Sequence, residues 1–441
     1  MNPSATAHAV QEYLPRPRPE REGIGLCLSG GGFRAALFHL GVLRRLNELG
    51  LLARLKTITS VSGGSIMAAL LASRVTWPVT DRVDDWEREV ARPLRSFSSR
   101  NLRTPAILQR FLPWNWFRTS TGVEALASAY EARLTGLPLS RLPERPTFIL
   151  CATDMAFGVN WVFRRTSLGD YHAGYATVPP HDWTVGRAVA ASSCFPPVFN
   201  PLPIRLPPSK LAGGDVPAGP ARDAIIGGLR LTDGGVYDNL ALEPVWKDHA
   251  IVLVSDAGAL FNYEADRNLL WRVQRYASIA ENQVGAVRKR WLISNLLADV
   301  LDGAYWGIGS ATTSYDKDAT AGYSKPLARE VIARIRTDMD AFSEAEAEIL
   351  ENHGYTLADA AIRRHVPALL PSPDPPLTIP HPEWMDEGKV RMALANSHKR
   401  AALHGADDCR RAPIWLPPLA LLPIRSRNLR LRRPRVLLRL P

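Results

Sequence analysis

Between Thr59 and Ser65 the chain reads TSVSGGS, with Ser60 two residues before Ser62 and Gly64 two residues after it. A serine on a sharp strand-to-helix turn presents its hydroxyl, and it needs small flanking residues because strand and helix pass close together there. This is a nucleophile elbow with its first glycine replaced by serine. Ser65 fits less well, since Met67 would fall at the crowded +2 place. A small-residue turn or an anion-binding helix N-terminus is the alternative use of the same residues. The stretch CLSGGGFRAALFHLGVL, Cys27 to Leu43, sets three glycines between an apolar run and an amphipathic pattern. Without Cβ atoms the N–H groups can approach a phosphate or a developing anion. A dinucleotide fingerprint would need glycine where Ala35 stands and an acid at the end of the next strand, and a P-loop would need Gly-Lys-Ser/Thr; both are missing. An oxyanion hole built on Gly30, Gly31, Gly32, Phe33 and Arg34 remains, with a merely tight turn as its rival. In LTDGGVYDNL, Leu231 to Leu240, Asp233 ends an apolar run and precedes Gly234 and Gly235. Its carboxylate can reach the edge where strand C-termini meet and serve Ser62 as general base, or it can make an Asx-turn.

Other residues compete for these roles. Asp256 in VSDAGA also ends a strand pattern and is the main rival for the base, while Asp154 in TDMAFG reads as part of a turn joining two strands. His249 would turn the pair into a Ser-His-Asp triad. Arg34 reads equally as structural or as a guide for an anionic head group. Cys194 reads as a small buried hydrophobe.

These residues need a scaffold that gathers strand ends. GIGLCLS reads as a strand, Leu37, Leu40, Leu43 and Leu46 hold one helical face, and Gly50 supplies a left-handed helix end. LKTITSVS reads as a second strand and GGSIMAALLASRV as a second helix, so the unit is β-α-β-α and predicts a parallel sheet covered by helices. An arginine-rich, aromatic helical insert spans 77–145 and contains FLPWNWF, Phe111 to Phe117. Strand patterns resume at TFILCATD and VNWVFRR, followed by the short helix TVGRAVAAS and the strands LRLTDGG and AIVLVSDAGA. Residues 262–365 read as mainly helical, with a capping box at Ser343 and Glu346.

The order of triple glycine, serine elbow and Asp-Gly-Gly resembles the patatin-like phospholipases in SGGGFRAA, SVSGGS, AASSCFPPVFNP and DGGVYDNLA, over roughly residues 23–260. The resemblance implies an α/β fold of three α/β/α layers around a mainly parallel sheet, here with a helical insert and a helical C-terminal region. It also implies a Ser-Asp dyad without a catalytic histidine and hydrolysis of acyl esters in lipids, of phospholipase A or lysophospholipase type. By position Ser62 matches the nucleophile, Asp233 the dyad aspartate and Gly30 to Arg34 the oxyanion segment, supported by Ser60, Gly64, Gly234 and Gly235. Ala35 and Ser60 stand where the family usually has glycine. A catalytically weak lipid-binding or scaffold protein of the same fold is the alternative. No metal or organic cofactor is needed.

Composition bounds the partners. The formal charge is +11, but the stretch 410–441 carries nine arginines and no acid, leaving 11 − 9 = +2 for the rest. The body therefore offers no basic groove for nucleic acid, and the expected partners are membrane lipids or lipid-like esters, met peripherally. Four scattered cysteines suit a reducing, cytoplasmic setting, and no run approaches the length of a membrane span. The expected organisation is an unfolded leader over 1–22, a catalytic domain over 23–375, and an irregular segment over 376–441 ending in the basic tail.

Overall fold

The computed structural model describes residues 14–109, 115, 120–178, 183–261 and 263–399 of the chain. Five strands run parallel in the spatial order β10 (Asp302–Gly307), β9 (Ile251–Asp256), β1 (Ile24–Leu28), β2 (Leu55–Val61) and β3 (Thr147–Asp154). Beyond β3 the sheet turns antiparallel through β4 (Asn160–Phe163), β5 (Ser167–Asp170) and β6 (Gly174–Thr177). A short branch, β7 (Leu202–Pro203) and β8 (Arg230–Asp233), joins by pairing β8 with β3. The sheet is thus parallel in its first half and antiparallel in its second.

Side chains alternate across a strand, so the central strands must be apolar on both faces if helices cover both. On β1, Leu26 and Leu28 enter the larger core with Leu253 and Trp306, whereas Cys27 enters a smaller one with Val252, Val254 and Leu292. Helices α1 (Gly32–Glu48), α2 (Gly63–Arg74), α3 (Thr121–Arg133) and α4 (Val185–Ser193) contribute to the larger core. The crossover α5 (Leu269–Leu297), from β9 to β10, closes the smaller core through its C-terminal third, where Trp291 packs edge-on against Trp246 with 4.9 Å between ring centroids. Helix α6 (Glu344–His365), opened by the expected Ser343–Glu346 capping box, lies across α1. The crossing is close: a Cβ on Gly41 would stand 1.8 Å from the Glu351 carbonyl oxygen, and one on Gly354 2.0 Å from that of Phe38.

The β-α-β-α unit and the left-handed Gly50, at φ +66°, match the sequence reading. Three regions differ from it. Strand β10 interrupts the region read as helical; its DGAYWG opens with the partly exposed Asp302 and Gly303 at a sheet edge, which hides the strand pattern. Residues 14–22 are docked where an unfolded leader was expected, with the Arg16 and Glu22 amides donating to the carbonyls of Lys247 and Asp248. Part of 376–399 is also ordered: Asn352 on α6 donates to the His381 carbonyl, and a short helix covers Glu387–Ala393. The insert contains the helices Arg92–Ser98, Arg103–Leu108 and α3. Residues 1–13, the aromatic side chains of Phe111, Trp114, Trp116 and Phe117, and the basic tail lie outside the described residues.

Candidate active site

The register of the sheet brings the two candidate groups together. On β2, Val61 stands opposite Cys151 of β3, and on β8, Asp233 stands opposite the next β3 residue, Ala152. Because β8 runs antiparallel to β3, it occupies the lane that β2 vacates, and the two C-terminal ends meet head to head. A Cβ on Gly234 would lie 3.0 Å from a Val61 methyl and 2.5 Å from the Cys151 carbonyl oxygen, so only glycine lets the ends abut.

Ser62 occupies the turn between β2 and α2 at φ +51° and ψ −117°, a strained conformation for a residue with a side chain. The surroundings hold it there. Its N–H donates to the Ser192 hydroxyl at 2.9 Å, the Gly64 N–H donates to the Ser29 carbonyl at 3.1 Å, and a Cβ on Gly63 would strike the Gly32 carbonyl oxygen at 2.0 Å. Ser192 in turn donates to the Cys151 carbonyl at 2.6 Å and contacts the Ser65 hydroxyl at 2.9 Å, while Ser65 donates to Ser60 at 3.0 Å. The hydroxyls of Ser60, Ser65 and Ser192 thus form a buried layer beneath Ser62. Ser65, fully buried and so engaged, is not placed to attack a substrate.

Asp233 is buried, and its Oδ1 accepts the Gly235 N–H at 2.7 Å. Burial pushes its pKa up to about 7, with the Glu281 charge adding to the rise; the Gly235 amide and the nearby Ser62 hydroxyl act in the lowering direction. Oδ2 has no hydrogen bond of good geometry among the described residues, so the Ser62 hydroxyl lies within influence of the carboxyl without being locked to it. Such bonds commonly tighten only when substrate arrives. Asp256 is the opposite case: Lys289 pairs with it at 2.5 Å, Tyr305 and the Gly258 amide donate to it at 2.8 and 2.9 Å, and its pKa is held below the usual carboxylate value despite burial.

The glycine loop lies alongside. A Cβ on Gly30 would stand 3.1 Å from the Ser62 Cβ. Its N–H donates to the Asn239 carbonyl and that of Phe33 to the Asp338 carbonyl, whereas the amides of Gly31, Gly32 and Arg34 make no backbone hydrogen bond among the described residues. The Arg34 side chain is structural: it donates to the carbonyls of Ala333, Ile335 and Ala257 at 2.7 to 3.0 Å, and burial lowers its pKa to about 10. His249 is bound to Thr57 at 2.8 Å, at the opposite end of β2 from Ser62. No described histidine hydrogen-bonds to Ser62 or Asp233. Cys194 is buried with its thiol pushed far up, and Asp154 caps the β3–β4 turn by accepting the Ala156 amide.

Two contributors were missed as sequence: Ser192, which takes the Ser62 amide, and Asn239, which holds the glycine loop. Both lie inside stretches noted for other reasons, AASSCFPPVFNP and DGGVYDNLA. A cavity of about 340 Å³ adjoins the site, with Asn239, Gly258 and Phe195 on one side and Ser278, Glu281 and Asn282 of α5 on the other.

A family model for patatin-like phospholipases matches residues 26–246, half of the chain. A patatin-like phospholipase domain-containing protein of Aspergillus oryzae is 27% identical over 177 residues, which cover 40% of this chain and 22% of that protein. Among solved structures, human GIVD cytosolic phospholipase A2 aligns with 89% of this chain and 65% of its own, at 14% identity and a TM-score of 0.44. VipD from Legionella pneumophila aligns with 79% and 67%, at 14% identity and a TM-score of 0.35.

Proposed function

The chain belongs to the patatin-like phospholipase family, and from that premise we propose that it hydrolyses carboxylic esters of lipids with Ser62 as nucleophile and Asp233 as its base. The observation that supports this reading is the head-to-head meeting of β2 and β8, which sets a strained serine beside a buried carboxyl with a pKa of about 7. A base of that strength is matched to neutral pH.

The Ser62 Oγ attacks the ester carbonyl carbon while its proton passes to Asp233. The negative oxygen of the tetrahedral intermediate is held by the amides of Gly31, Gly32 and Arg34, which are left without backbone acceptors. The carbon–oxygen bond to the alcohol breaks, Asp233 returns the proton to the departing alkoxide, and an acyl-serine remains. Water attacks the acyl carbon with Asp233 again taking a proton, which passes to Ser62 as the fatty acid leaves. Ala35 and Ser60 are both small and buried, consistent with an intact loop and elbow.

A fluorophosphonate probe should label the wild type and not Ser62→Ala. Hydrolysis of a short p-nitrophenyl ester should fall on the order of 10³-fold or more in Ser62→Ala with unchanged circular dichroism. Label on Ser62→Ala would reject Ser62 as the nucleophile, and no ester turnover by the wild type would leave lipid binding without hydrolysis as the reading.

A further inference from the structure

Helix α5 faces two environments. At about 100° per residue, Ser278, Glu281, Asn282 and Gly285 lie on the side lining the cavity, and Leu292, buried in the smaller core, anchors the helix on that side. On the opposite side Leu269, Val273, Tyr276, Val284 and Val287 fall within an arc of about 80°. These five are between 43% and 73% exposed, and nothing among the described residues covers them. A crossover helix ordinarily puts its apolar stripe onto the sheet; here the stretch Leu269 to Val287 turns that stripe outward while polar residues face the cavity.

We propose that this outward face of α5 is the surface by which the protein docks on an anionic lipid bilayer, an inference that rests on the ester-hydrolase reading for its purpose. The charge pattern selects the occupant. Of the five cations on α5, Arg275 and Lys289 line the cavity with the one acid, Glu281, and Arg288 pairs with Glu243 of the body, which leaves Arg272 and Arg290 toward the stripe. Arg272 and Arg290 lie at the same azimuth, along one rim of the stripe. Arg290 has no ion pair among the described residues, and Arg272 pairs with Asp266 at the exposed surface. The helix itself carries no carboxylate on that face, and an apolar stripe with Arg290 at its rim matches the boundary between acyl chains and anionic head groups. The placement also serves the site. Glu281, one helix width from the stripe, is near enough to Asp233 to raise its pKa, so docking α5 brings the cavity to the level of the head groups.

The test is co-sedimentation of the full chain with vesicles of phosphatidylcholine plus phosphatidylserine and with vesicles of phosphatidylcholine alone. The wild type should partition to the anionic vesicles. The Val273→Glu/Tyr276→Glu/Val287→Glu variant should do so on the order of tenfold less while cleaving a soluble short-chain ester at the wild-type rate. Arg290→Glu, a milder change that leaves the stripe intact, should weaken anionic binding severalfold and leave the neutral-vesicle signal unchanged. Equal binding by all three proteins would overturn the proposal and assign any membrane contact to other segments. It would equally be overturned if the triple variant turned a dimeric wild type into a monomer with vesicle binding unchanged, since a second copy would then be the occupant. Because the soluble ester reports on Ser62 and Asp233 alone, loss of vesicle binding with full turnover supports the helix. Absence of turnover in the wild type bears only on the hydrolase reading.

Discussion

Asp233 and Asp256 are both strand-end aspartates followed by small residues, and their surroundings drive them apart. Asp256 meets an ammonium, a phenol and an amide and stays ionised, whereas Asp233 is desolvated with one oxygen unpaired and titrates near 7. Two carboxyls with divergent environments are how one site separates a structural from a proton-transferring role. If Asp233 is the base, it works only when ionised, so kcat/KM on a soluble ester should rise with pH, reach half its plateau near pH 7 and stay level above. Asp233→Asn should remove nearly all turnover at every pH. A flat profile from pH 5.5 to 8.5 would exclude Asp233 from the proton transfer. His249→Ala should alter turnover by less than about tenfold, because its imidazole sits at the far end of β2. Ser192→Ala should cost about 1–3 kcal/mol, read as a lower urea midpoint, because the Ser62 amide and the Cys151 carbonyl both lose a buried partner.

Among the elements, the same substitution should have opposite signs at two helical glycines. Gly41 of α1 leaves no room for a Cβ against the backbone of α6, so Gly41→Ala must push the two helices apart and should cost about 3 kcal/mol or more. Gly285 in the middle of α5 has nothing within 4 Å of a built Cβ, so Gly285→Ala should add about 0.5–1 kcal/mol through helix propensity. Paired thermal denaturation checks both; equal shifts would contradict the packing described here. Nothing in the sequence separates these glycines, because the difference lies in a partner helix some 300 residues away. The β-α-β-α unit was readable for the converse reason. The leucine spacing, Gly50 and the β-branched run before Ser62 are local signals, and so were the elbow and the Asp-Gly-Gly stretch. Illegible were β10, whose pattern is diluted at a sheet edge, and the reversal of β8 that brings Asp233 to Ser62. Ser192 was readable as part of a motif but not as a role, since its partner lies 130 residues away.

For the whole molecule, the buried titratable groups set how stability answers pH. Burial lowers His39 and His353 to about 4, each buried and hydrogen-bonded through its ring. The unfolded chain therefore takes up protons that the folded chain refuses as pH falls below about 6.5, and stability is lost from there down to about 4. Asp170 and Asp233 act the other way. Burial raises both to about 7, and Asp170 also shares its buried surroundings with Asp154, so the folded chain holds protons that the unfolded chain releases. Their contribution falls as pH rises from about 4 to about 7. Two groups of each kind oppose one another across the same window, so the urea midpoint should be nearly level between pH 4.5 and 6.5. Asp170→Asn removes one of the four and keeps the shape: its amide oxygen can still accept the His172 and Ala173 amides, and its NH2 can donate to Asp154. The histidines should then prevail, and stability should climb with pH through that window by up to about 1.4 kcal/mol per pH unit. Urea denaturation of the wild type and Asp170→Asn at pH 4.5, 5.5 and 6.5 distinguishes the cases. Parallel curves would mean that Asp170 is ionised in the folded protein and that the buried pair carries no shared proton.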